Sequence, residues 1–135
     1  MMRSLRAIVV AVAVIGALAA CTSGSGYSDL DRAATTDDVF PSDAPGYASD
    51  NLDVDSVRYV GRHDGHSFYL AQTDPAPGVC VLIYRDADAW MTGCGVNITV
   101  EGLGMVATVV PDGAVVPEGG TLVGNNVVVL QSSGS

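Results

Sequence analysis

The chain has 135 residues, a length that suits one domain, and it contains no lysine; six arginines face fifteen acidic residues, for a net charge of −9. A chain this acidic repels phosphate backbones and anionic lipid headgroups, which argues against nucleic acid as a partner and leaves cations or basic partners open.

Met1 to Arg6 carries two arginines and no acid, and Ala7 to Ala20 carries no charge at all. That uncharged run is too short for a comfortable membrane span, which needs about 20 apolar residues. It has the length of the apolar region of a secretory signal peptide behind a positive start. It ends in Leu18-Ala19-Ala20-Cys21, which resembles the lipobox of bacterial lipoproteins: a branched residue, two small residues and the modified cysteine. The resemblance implies that residues 1–20 are removed and that Cys21 carries a diacylglycerol on its sulfur. The protein is then expected on the extracytoplasmic face of the cell membrane, held by its lipid. Physical logic agrees, because one acyl chain binds a bilayer only marginally and a diacylglycerol supplies two. The alternative is a retained membrane helix ending at Cys21. Arg3 and Arg6 are not adjacent, so a twin-arginine route is not indicated. Without its leader the chain sets Arg32, Arg58, Arg62 and Arg85 against all fifteen acids, a formal charge of −11.

Residues 21–55 read as an acidic tether. Thr22-Ser23-Gly24-Ser25-Gly26 is a flexible start, and Pro41, Pro45 and Gly46 interrupt any long helix. A short helical turn is expected from Ser28 to Ala34. As free coil, the tether would span about 30 to 35 Å root-mean-square. Val39, Phe40 and Tyr47 are candidates to pin part of it to the domain.

Residues 56–135 have the texture of a small all-β domain, with short Val-, Ile- and Tyr-rich runs between Gly, Pro, Asp and Asn clusters. Strands are expected near Val57–Arg62, Ser67–Gln72, Val79–Tyr84, Trp90–Gly93, Val96–Val100, Met105–Val110 and Val127–Leu130. A further short strand is expected at Ala114–Val116 or Thr121–Val123. Turn signals include Asp64-Gly65, Glu101-Gly102, Pro111-Asp112-Gly113 and Gly124-Asn125-Asn126. The Asp64-Gly65 turn pairs His63 with His66, Gly61 with Phe68, Tyr59 with Leu70 and Val57 with Gln72. A second hairpin around Arg85 to Ala89 pairs Tyr84 with Trp90, Leu82 with Thr92 and Cys80 with Cys94. Val79–Tyr84 is apolar at nearly every position, so it is expected to be central and covered on both faces. The expected fold is a small antiparallel sandwich or curled barrel with one disulfide.

Cysteine parity supports the disulfide. Three cysteines in an exported chain leave one over, and lipidation accounts for Cys21. Cys80 and Cys94 are then a bonded pair, worth roughly 3 kcal/mol for a loop of this length. A reactive thiol or a metal pair is the alternative, although the spacing matches no short metal motif.

Little else suggests chemistry. His63 and His66 are the only histidines, and the first hairpin sets them side by side with Asp64 nearby, so they are the candidate metal ligands. The pairs Asp29/Asp31, Asp53/Asp55 and Asp86/Asp88 lack the glycine and terminal glutamate of an EF-hand loop. There is no G-x-S-x-G elbow, phosphate loop, H-E-x-x-H or C-x-x-C, so no catalytic residue and no cofactor is assigned.

The stretch Arg32-Ala33-Ala34-Thr35-Thr36-Asp37-Asp38-Val39-Phe40-Pro41 is similar to segments of small exported proteins of high-GC Gram-positive bacteria. So is the later order of Asp64-Gly65, Val79-Cys80, Trp90 to Cys94 and Val109 to Gly113. The resemblance implies a lineage and a location, and transfers no catalytic residue. The expected function is non-catalytic: a membrane-anchored binding or interaction module for a protein or small-molecule partner. An extracytoplasmic metal-binding protein using His63 and His66 is the alternative, and a small hydrolase with an unfamiliar site is the second.

Overall fold

A computed structural model describes residues 24–132. The regular structure of these residues is mostly β, with almost no helix. Eight strands run in order as β1 (Arg58–His63), β2 (His66–Gln72), β3 (Val79–Asp86), β4 (Ala89–Gly95), β5 (Thr99–Gly102), β6 (Met105–Val109), β7 (Thr121–Val123) and β8 (Val127–Gln131). They form two four-stranded antiparallel sheets, ordered β1-β2-β3-β4 and β5-β6-β8-β7.

Alternation along the strands builds the core. Phe68 and Leu70 from β2, with Val79, Val81 and Ile83 from β3, face Met105, Ala107 and Val109 from β6 and Val127 and Val129 from β8. In β6 every second residue is buried, the period-two pattern of a strand with one face on a core. The sheets therefore pack as a sandwich. Its two seams are narrow: β4 runs beside β5, and a methyl group on Gly93 would lie 2.5 Å from Val100 Cγ1. At the other seam a methyl on Gly124 would collide with Val60. At each position glycine leaves the room that a neighbouring valine fills.

The second hairpin has the expected register, with Tyr84 opposite Trp90, Leu82 opposite Thr92 and Cys80 opposite Cys94. Cys80 and Cys94 are bonded, with Cα atoms 4.0 Å apart. The first hairpin keeps its register only near the turn. His63 pairs with His66 and Gly61 with Phe68, but an irregularity between Tyr59 and Gly61 puts Tyr59 opposite Tyr69 and Arg58 opposite Leu70. The extra residue turns Val60 toward the core and Tyr59 toward the outer face, where its ring meets Tyr69 at 5.5 Å. Tyr59 therefore is not on the face that simple alternation assigns to it.

Two other expectations shift. The strand expected at Val96–Val100 begins at Thr99, because Asn97 is left-handed and leaves Val96 in a bend, 73% exposed. The turn after it sits at Leu103-Gly104, both left-handed, rather than at Glu101-Gly102. Of the two alternatives for a further strand, Thr121–Val123 is the one formed.

The larger difference concerns the stretch expected to be an acidic tether, pinned at most in part by Val39, Phe40 and Tyr47. From Ser25 onward it is laid over the sandwich. α1 (Ser28–Asp31) contributes Leu30 to the main core, and Tyr27 packs against the same cluster. Farther on, Leu52 and Val57 join Ala71 and Cys80 in a second cluster on the outer face of the first sheet, with Phe40 and Tyr69 against it. Ala48 is fully buried, and Tyr47 sets its ring 5.5 Å from that of Trp90. This explains why β3 is buried along both faces: the second sheet covers one, and the acidic segment covers the other. Val39 remains exposed.

Candidate functional site

The feature that resembles a binding site is an apolar pocket of about 370 Å³ at the end of the first sheet. Its walls come from three places: Tyr27 and Leu30 on the N-terminal segment, Ala76, Pro77 and Val79 at the β2–β3 connection, and Val96 after β4. Ser25, Gln72, Gly78 and Gly95 complete the lining, so no carboxylate, imidazole or thiol faces it. The volume falls within the usual range for small-molecule pockets, about 300 to 1,000 Å³.

Each wall has a physical support. Val79 and Gly95 are paired across β3 and β4, one step from the bonded Cys80 and Cys94. The disulfide thus staples the strand ends that form the floor. The β2–β3 connection is closed by the Thr73 amide donating to the Gly78 carbonyl at 3.1 Å. The Thr73 hydroxyl also donates to the Pro75 carbonyl at 3.0 Å.

The remaining wall, Tyr27 and Leu30, is held by a buried polar clasp. The Asp29 amide donates to Asn126 Oδ1 at 2.9 Å, and Asp29 Oδ2 accepts from the amides of Asn125 and Asn126 at 2.8 and 3.0 Å. Asn126 is fully buried, and its Nδ2 donates to the Val110 carbonyl and to Asp112 Oδ1, each at 2.9 Å. Asp112 Oδ1 also accepts from the Ser28 amide at 2.9 Å. The Ser28 amide and then the Asn126 side chain hold the Asp112 carboxyl below its ordinary range. A buried amide satisfied on both its oxygen and its nitrogen fixes position as well as adding stability.

A second polar anchor holds the following stretch. Asp38, whose side chain has no exposed surface, accepts from Arg32 Nη1 and Nη2 at 2.7 and 2.6 Å and from the amides of Thr35 and Tyr59 at 2.6 and 2.7 Å. The Arg32 guanidinium and those amides push the Asp38 carboxyl far below the usual carboxylate range. Arg32 in turn donates to the Tyr59 carbonyl, tying the loop to β1. None of this was visible in sequence, where Asp29 and Asp38 look like ordinary tether aspartates.

The expected metal ligands sit at the opposite end of β2 from the pocket. His63 and His66 are opposed across the turn, as the hairpin predicted. His66 is buried and its Nδ1 lies 2.9 Å from the Asp64 carbonyl, so only Nε2 could serve a metal ion. Among the described residues, no group of three His, Cys, Asp or Glu side chains comes together to hold a metal ion. Cys21, the expected lipidation site, lies outside the described residues. No helix among the described residues is long and apolar enough to cross a membrane. Comparison of the chain with known protein families, characterised proteins and solved structures finds no match.

Proposed function

We propose that the protein is an extracytoplasmic lipoprotein, anchored by a diacylglycerol on Cys21, that works as a non-catalytic binding module. The observation that carries the binding half is the pocket between Tyr27, Leu30, Val79 and Val96. An apolar wall can bury a ligand, and the lining holds no carboxylate, imidazole or thiol for chemistry on it. The anchoring half rests on Leu18-Ala19-Ala20-Cys21 behind an uncharged run.

Metabolic labelling with palmitate, followed by membrane fractionation, tests the anchor. Wild type should carry label and sediment with membranes. Cys21→Ala should carry none, and should be released or persist as an unprocessed precursor. Label on Cys21→Ala overturns the assignment. Titration with an uncharged environment-sensitive dye tests the pocket. Dye bound by wild type and by Val96→Glu alike places its site elsewhere.

A further inference from the structure

We infer that the pocket takes one acyl chain of an uncharged lipid drawn from the leaflet in which Cys21 is anchored, an inference that rests on the anchor proposed above. The argument begins with reach. Ser25 lines the pocket and is fixed there, its hydroxyl donating to Asp31 Oδ1 at 2.8 Å and its amide to both carboxylate oxygens of Asp31. The stretch from Cys21 to Ser25 can extend no more than about 14 Å. The headgroup region of one leaflet is about 5 to 8 Å deep. A lipid-anchored Cys21 therefore holds the pocket beside the headgroups, far closer than a free tether would.

The lining selects the part of the lipid that enters. Tyr27, Leu30, Pro77, Val79 and Val96 offer hydrocarbon, and a saturated chain has no polar atom to leave unsatisfied among them. Charge selects the head. Asp31 stands at the rim through its bonds to Ser25, and no arginine lines the pocket. An anionic head would meet repulsion with no compensating cation. An uncharged head, such as that of an acylglycerol, meets neither cost. The chains on Cys21 itself are poor occupants. Withdrawing one of them leaves a single chain in the bilayer, which holds a protein only marginally. The occupant is therefore a separate lipid.

The test uses the full, lipidated protein reconstituted in phosphatidylcholine vesicles containing a photoactivatable monoacylglycerol, with a photoactivatable fatty acid in a parallel set. Wild type should crosslink the monoacylglycerol at residues 72–79 and 95–96, and the fatty acid less at neutral pH. Ala76→Trp fills the mouth from an exposed position, and Val96→Glu sets a charge on the rim; each should lower crosslinking by about tenfold or more. Crosslinks scattered over the surface, or unchanged in both variants, overturn the pocket. A photoactivatable palmitate carried on Cys21 that crosslinks to the same residues overturns the choice of occupant. Absence of palmitate from wild-type Cys21 overturns the anchor and the bilayer as source. Monoacylglycerol supplied from solution then reads the pocket independently of the anchor.

Discussion

Asp29 and Asn126 hold each other reciprocally: the backbone amide of each donates to the side-chain oxygen of the other, at 2.9 and 3.0 Å. Almost a hundred residues of chain separate them, so this exchange joins the start of the described chain to the last hairpin. It also sets Tyr27 and Leu30 as a wall of the pocket.

Asn126→Ala is expected to lower unfolding free energy by about 2 to 4 kcal/mol, because it takes the side-chain partner from the Asp29 amide and from the Val110 carbonyl. Denaturant unfolding measures the loss, and limited proteolysis should find new cleavage between residues 24 and 35. A loss under about 0.5 kcal/mol with no new cleavage contradicts the clasp.

Cys80→Ala/Cys94→Ala should cost about 2 to 5 kcal/mol, within reach of the whole stability of a small domain. Its second effect is local. Val79 and Gly95 lie one step from the bond and line the pocket, so dye or lipid binding should weaken even where the fold persists. Thiol counting on unfolded, unreduced protein, with Cys21 lipidated, should find no free thiol. Two reactive thiols contradict the bond.

The Cys80–Cys94 pairing was legible because two independent signals, the Arg85–Ala89 turn and the cysteine spacing, demand one register. Burial of both faces of β3 was legible from its unbroken apolar run. What covers the outer face was legible only in part: Phe40 and Tyr47 stood out as candidate pins and both pack on the domain, whereas Val39 stays exposed. Ala48 and Leu52, like Leu30 at the main core, stand singly among aspartates and prolines, without the periodicity that marks a buried element. Their contacts depend on partners far along the chain. The clasp was hidden for the same reason: Gly124-Asn125-Asn126 announces a turn, but nothing local says that Asn126 will bind Asp29. The shift of Tyr59 to the outer face follows from an irregularity at Val60, and alternation carries no sign of it. The pocket was equally out of reach, since its walls come from three separated segments.

Acid should loosen the Asp38 anchor. The carboxyl is held far below its ordinary value when folded, so the unfolded chain binds its proton first as pH falls. The contribution is fully present above the unfolded value of about 3.9 and is lost progressively below it. Wild-type stability should therefore fall between about pH 5 and pH 2. Asp38→Asn cannot titrate there, so it should start less stable and show a shallower acid slope. Thermal unfolding across that range compares the two. Parallel slopes contradict a role for Asp38 in the acid limb.

The histidine pair separates the binding module from a metal protein. His63 and His66 are opposed across the Asp64-Gly65 turn, and two imidazoles at a cross-strand spacing of about 5 Å can share one ion. The geometry limits what they achieve. The Nδ1 of His66 is engaged with the Asp64 carbonyl, and no third ligand joins the pair among the described residues. Firm sites bring three or four protein ligands, so zinc or copper should bind no tighter than micromolar. The two residues should differ in stability. His66 is buried and bonded, so His66→Ala should cost about 1 kcal/mol, whereas the partly exposed His63→Ala should stay within about 0.5 kcal/mol. Calorimetric titration of wild type and of His63→Ala/His66→Ala decides the metal question. Submicromolar binding lost in the double variant would make metal the ligand of this end of the sandwich and leave the pocket, at the far end of β2, to be explained separately.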